Sequence, residues 1–181
     1  MPHINTSAQM PGIVDLMMTN RTSHEALGKL ANAILFEESP LSRGEREIIA
    51  AYVSVLNNCR FCSLSHIAIA SGLADNVEPI IEDLKSKGFT ERLSLKMNAL
   101  LKIASEVQKS GRDVKDESIA KAKALGASDG ELHDTVLVAA AFCMFNRYVD
   151  GLQATTPEPG HPYYKQASEM IVSRGYQAIP S

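Results

Sequence analysis

The sequence has no tryptophan, and aromatic residues make up only 6% of its 181 positions. Its apolar content of 45% therefore rests on Ala, Leu, Ile, Val and seven Met, a palette that favours helices over sheets. A basic excess is also missing: the net charge is -3 and the pI is near 6.0, which argues against a nucleic-acid or anionic-membrane surface as the main role. No apolar run approaches the roughly 18 residues that span a bilayer, and Met-Pro-His-Ile-Asn at the start does not read as a secretion signal. The expectation is a soluble, cytoplasmic protein that does not enter membranes. Cysteine is scarce too, with three residues, an odd count that speaks against a structural disulfide framework.

What is present is helical punctuation. Positions 1–12 are polar and contain two prolines, which reads as a loose arm, and Ile13 to Met18 reads as a short helix. Ser23 is taken as the N-cap of a helix through Phe36, with apolar residues at helical spacing. Ser42 with Glu45 three residues on forms a capping-box pattern that opens the next helix. Asn58 is taken as the cap of a helix that runs to Ser71, where Gly72 is a natural stop. Further helices are expected over Asn76 to Lys85, Thr90 to Lys109, Asp116 to Leu125, Ser128 to Leu152 and Tyr163 to Ser173, the last two separated by a proline-rich loop. No segment alternates as a strand does. The fold class is all-α, in a single domain over residues 1–181. Ser-Arg-Gly-Glu at 42 to 45 and Ser-Asp-Gly-Glu at 128 to 131, offset by about 86 residues, suggest two helical hairpins related by pseudo-symmetry.

Two of the cysteines form a C-x-x-C, Cys59 and Cys62, with His66 four residues on; Cys143 stands alone in an apolar run and reads as a buried hydrophobe. On a helix, residues three and four apart share a face, so Cys59, Cys62 and His66 fall on one line. An imidazole and a helix N-terminus both favour the thiolate, the form in which sulfur is a nucleophile. Glu47 belongs to this group only if the chain reverses at Asn57-Asn58. On one unbroken helix it would lie about 28 Å from His66, whereas antiparallel helices would bring the two level. Spacing alone leaves two readings open: a solvated residue of the Glu-Arg-Glu turn, or a carboxylate that orients the imidazole.

The run Leu-Ser-Arg-Gly-Glu-Arg-Glu47, followed after eleven residues by Cys59-Arg-Phe-Cys62 and after three more by His66, resembles the AhpD-like alkylhydroperoxidases of the carboxymuconolactone decarboxylase superfamily, in particular their peroxidase-related branch. The close resemblance covers residues 41–72. It implies an AhpD-like helical bundle that assembles as a homo-oligomer, a trimer or hexamer, and a peroxidase that needs no cofactor and no metal. It further implies that Cys62 attacks the peroxide, Cys59 resolves the product as a disulfide, and Glu47 with His66 relays the proton. An external dithiol, in the family sometimes a lipoyl-bearing partner, would then reduce the pair. One departure stands out: the family's best-known members carry a second His immediately before the second Cys, where this chain has Phe61. Relatives that decarboxylate lactones lack the C-x-x-C, so that chemistry fits poorly.

Two other readings use the same residues. A general thiol–disulfide oxidoreductase or redox sensor needs only the dithiol. A zinc-binding structural module would use Cys59, Cys62 and His66 with a fourth ligand from His24, His133 or Glu47. Outside this cluster, His3, His133 and His161 read as surface residues. Arg147 and Asp150, three apart near Asn146, read as a simple ion pair rather than site residues.

Overall fold

In the computed structural model, residues 2–6 and 10–178 are described. Among them the chain forms nine α-helices and no strand: α1 (Ile13–Met18), α2 (Arg21–Leu35), α3 (Arg43–Leu56), α4 (Arg60–Ser71), α5 (Val77–Lys87), α6 (Leu95–Lys109), α7 (Asp116–Ala124), α8 (Asp129–Gly151) and α9 (Pro162–Arg174). Single 3₁₀ turns follow α6, at Gly111–Asp113, and α9, at Tyr176–Ala178. No helix among the described residues is long and apolar enough to cross a membrane.

Helix α3 is the axis of the bundle. Ile48, Ile49, Ala50, Ala51, Tyr52 and Val53 are consecutive and all buried, so the helix is covered on every side rather than along one stripe. It packs antiparallel to α4 and also against α5, α6 and α8, while α9 lies across α4. Two capping boxes set the entry of α3 and α8. Ser42 Oγ accepts from the Glu45 amide and Glu45 Oε2 accepts from the Ser42 amide at α3; Ser128 and Glu131 repeat the arrangement at α8. Buried Arg46 donates to the carbonyls of Ile34 and Glu37, satisfying backbone acceptors at the end of α2 and fixing that helix to α3.

Several boundaries differ from the sequence expectation, each for a local reason. Asn20, not Ser23, caps α2: its side chain accepts from the Ser23 amide, and Ser23 becomes the third residue of the helix. Helix α6 begins at Leu95 rather than Thr90, capped by Ser94. Residues 90–94 stay outside it because the Asn98 side chain bonds both the amide and the carbonyl of Thr90. Among the described residues of the arm before α1 there is no helix, yet the amides of His3 and Gly12 donate to the carbonyls of Leu152 and Thr155 and tie these residues to the chain after α8.

The expected effect of Ser42→Ala is a loss of about 1 kcal/mol, seen in urea unfolding, with a Tm lower by about 2–4 °C. An unchanged midpoint would mean that α3 does not depend on its cap.

Candidate active site

The site is built on the reversal between α3 and α4. Asn57 closes α3, and Asn58 takes a left-handed conformation (φ 58°), which asparagine tolerates better than most residues. The turn is anchored from outside: Asn57 Nδ2 donates to Asn146 Oδ1 (2.8 Å), Gln108 Nε2 donates to Asn57 Oδ1 (2.9 Å), and Asn146 Nδ2 donates to Ser54 Oγ (3.1 Å). Helices α6 and α8 thus hold the bend. The residue that caps α4 is Cys59 and not Asn58, because Asn58 is consumed by the turn itself. Cys62 then sits in the first turn of α4, near the positive end of the helix dipole.

The reversal brings Glu47 and His66 together. His66 Nδ1 lies 2.7 Å from Glu47 Oε2, and Glu47 is 1% exposed. Since a carboxylate only accepts, Nδ1 is the nitrogen that carries the proton of this contact, and Nε2 is the ring nitrogen turned away from Glu47. A third residue, not anticipated from the sequence, completes the pair. The Tyr176 hydroxyl donates to Glu47 Oε1 at 2.5 Å and lies 3.4 Å from His66 Nδ1. Burial first, and the Glu47 charge second, push the Tyr176 phenol well above its ordinary range, so it stays a donor. Tyr176 is placed by its own amide, which donates to Asn32 Oδ1, and by Gly175, whose φ of 76° sets it close to Asn32 and Phe36. A lone tyrosine beyond the last helix carries no periodic or capping signal. Only the glycine before it hinted at a turn. The edge of Phe142 meets the His66 ring at 4.5 Å between centroids, perpendicular to it.

The two sulfurs have different surroundings. All three cysteines are free thiols and buried. Cys62 lines a cavity of about 270 Å³ together with Ser65 and His66, while Cys59 does not. The lining also includes Met17, Leu27, Leu35, Phe145 and Met170, with Phe61 next to Cys62 in the chain. Cys59 hydrogen-bonds Cys62, and this contact, followed by burial, raises the Cys59 thiol well above its ordinary range. Cys59 also bonds the carboxyl group of Asp150 at the end of α8, whose own pKa is raised by burial and lowered by that thiol.

The other expectations fare variously. Cys143 is buried, with Asn57 Nδ2 3.6 Å from its sulfur. Arg147 donates to the Cys143 carbonyl and forms no ion pair with Asp150 among the described residues, because Asp150 is turned to Cys59. His133 is exposed and bonds Asp134; His161 caps α9 by accepting from the Tyr163 amide. Among the described residues no group of three or more His, Cys, Asp and Glu side chains is arranged to hold a metal ion, so neither His24, His133 nor Glu47 completes a zinc site with Cys59, Cys62 and His66. Phe61 does not leave a gap where the family places its second His. It packs on Tyr163 and Tyr164 and lies so close to Gly12 that a β-carbon there would fall 2.1 Å from its ring.

A helical bundle whose central hairpin sets a dithiol and a Glu–His pair at the end of an apolar cavity defines an AhpD-type fold. The model of the carboxymuconolactone decarboxylase family matches residues 22–104, which include Glu47, Cys59, Cys62 and His66. Its architecture is shared with an uncharacterised peroxidase-related protein from Silicibacter sp. TM1040 (TM-score 0.74, 24% identity, 87% of this chain and 80% of that one). A second likeness is an alkylhydroperoxidase AhpD core, also described as an uncharacterised peroxidase-related protein, from Ralstonia eutropha JMP134 (TM-score 0.74, 18% identity, 90% and 83%). A protein of unknown function from Agrobacterium tumefaciens is similar as well (TM-score 0.68, 19% identity, 81% and 99%). At these identities the likeness establishes the fold alone. No curated protein matches the chain in sequence.

Iodoacetamide near neutral pH is expected to label Cys62 before Cys59, because Cys62 borders the cavity and Cys59 does not, and because contact with Cys62 and burial raise the Cys59 thiol. Peptide mass spectrometry after short exposures checks the order, and equal labelling would remove the asymmetry.

Proposed function

We propose that the protein is a thiol-dependent hydroperoxide reductase with Cys62 as the nucleophile, Cys59 as the resolving thiol, and Glu47 and His66 as the proton relay. The observation that carries this reading is the 2.7 Å contact between Glu47 and His66 on a ring that shares one cavity with Cys62. Thiol, base and orienting carboxylate thus occur in the order that activates a cysteine. His66 Nε2 takes the Cys62 proton. The thiolate attacks one peroxide oxygen, the O–O bond breaks, and the imidazolium returns the proton to the departing oxygen. Cys62 becomes a sulfenic acid and the peroxide an alcohol. Cys59 then attacks the Cys62 sulfur, its proton passes to Asp150, and hydroxide leaves as water after protonation; the product is a disulfide. Thiol–disulfide exchange with an external dithiol, of which a lipoyl-bearing protein is one form, restores the pair.

The mostly apolar cavity wall supports peroxides with an organic tail over hydrogen peroxide, because such a tail replaces water against methionine, leucine and phenylalanine. Assembly as a homo-oligomer, a trimer or hexamer, is part of the same reading. It is supported by exposed Leu137 and Met144, which lie seven apart on α8 and so share a face. The competing reading, a general thiol–disulfide oxidoreductase, shares the dithiol but has no use for a peroxide-sized apolar pocket.

With cumene hydroperoxide and a supplied dithiol, turnover is expected in the wild type and none above background in Cys62→Ser. Equal rates in the two would overturn the proposal, and faster reduction of a mixed disulfide than of the hydroperoxide would favour the competitor. Glu47→Gln is expected to slow oxidation of Cys62 by about 10²-fold or more while the circular dichroism spectrum is retained. An unchanged rate and pH profile would take Glu47 out of the relay.

A further inference from the structure

A buried carboxylate has two oxygens to satisfy, and His66 takes only one of those on Glu47. The other accepts the Tyr176 hydroxyl at 2.5 Å, a short contact of the kind that a charged acceptor makes. The same hydroxyl lies 3.4 Å from His66 Nδ1, and the two rings are nearly parallel, at 14°. Tyr176 therefore touches both members of the pair, yet it belongs to neither helix that carries them. It enters on the turn Tyr176–Ala178, which packs on α2 and α9. Its amide donates to Asn32 Oδ1 at 3.0 Å, and Asn32 is itself held by donating to Glu37. The ring alone would pack as phenylalanine does; the hydroxyl is the part that packing does not account for. Two cations act nearby: Arg46, next to Glu47 in the chain, acts on the carboxylate, and Arg43, one turn back, acts on Tyr176. Among the described residues no hydrogen bond or ion pair joins Glu47 to α2, α5, α6 or α8.

We propose that Tyr176 is a positioning residue of the thiol site: its hydroxyl keeps Glu47 charged and turned to His66, so that the imidazole can take the Cys62 proton. This rests on the reading above for the roles of Cys62 and His66, and extends it to the end of the chain. A carboxylate out of water holds its charge only while its oxygens have donors. With the phenol removed, one oxygen is left without a donor, and binding a proton becomes the alternative. A neutral carboxyl can donate to Nδ1 instead of accepting from it. That moves the ring's hydrogen to Nε2, the nitrogen that has to accept from Cys62. The sign follows from the proton count. The reactive form needs Glu47 ionised, loss of the hydroxyl favours the form with one more proton, and ionisation of Cys62 moves to higher pH. Because Glu47 and His66 share a hydrogen bond, the shift belongs to the pair. Once the pH is high enough to ionise Glu47 and Cys62 in either protein, the presence of the hydroxyl no longer matters.

The rate of Cys62 alkylation by iodoacetamide as a function of pH, read by peptide mass spectrometry, tests this on the reduced protein. Alkylation needs the thiolate and involves no peroxide. Tyr176→Phe, which keeps the ring and its packing, is expected to move the rising limb of the profile upward by about one pH unit, with the alkaline plateau within about twofold of wild type. In a Glu47→Gln background, where there is no charge to hold, the same substitution is expected to leave the limb in place. An unmoved limb in Tyr176→Phe overturns the proposal. So does an equal loss of rate at every pH, which would mark a purely structural role. A shift that persists in the Glu47→Gln background overturns it as well, since the hydroxyl would then act on something other than Glu47. Wild-type protein that alkylates at Cys62 but forms no sulfenic acid with cumene hydroperoxide would overturn the peroxidase reading alone, and the alkylation profile would still decide the role of Tyr176.

Discussion

A carboxylate held almost wholly out of water is the constraint around which the rest of the site is arranged. Glu47 is 1% exposed on a helix that is buried on all sides, and an unpaired charge there would be strongly disfavoured. Two donors answer it, the His66 ring and the Tyr176 hydroxyl, one on each oxygen. Both come from distant parts of the chain. The demand of a single buried charge therefore draws α4 and the C-terminal turn onto α3, and it decides which face of the imidazole is left for chemistry.

That arrangement has a polarity. On one side of the dithiol, Cys62 opens with His66 and Ser65 into an apolar chamber; on the other, Cys59 is packed against Val149 and bonded to Asp150. The two sulfurs are chemically identical residues three apart, yet the contact with Cys62 and burial push the Cys59 thiol above its ordinary range. Phe61 belongs to the same division. In the place of a family histidine it adds an aromatic wall, pinned by Tyr163, Tyr164 and the close approach of Gly12, and so makes the chamber less polar.

Much of the local structure was legible. Capping boxes at Ser42 and Ser128 announced the two principal helices because a cap acts through residues three apart in the chain. The errors are equally local: Ser23 lost the cap to Asn20, and the start expected at Thr90 moved to Leu95 behind Ser94, because the Asn98 side chain holds Thr90 outside the helix. Asn146 and Asp150 were passed over, since their partners, Asn57 and Cys59, lie some ninety residues away.

By itself the sequence determined the all-helical class and the alignment of Cys62 with His66, because each follows from spacing within a few turns of one chain; the reversal after α3 it posed only as a condition. It also offered Glu47 as a partner without choosing between that role and a solvated one. Tertiary structure alone decided that choice, brought in Tyr176, and distinguished the two thiols. The physical reason is that burial and proximity are properties of the packed bundle: which groups lose water, and which donors then reach them, depends on contacts between segments that share no pattern in the chain.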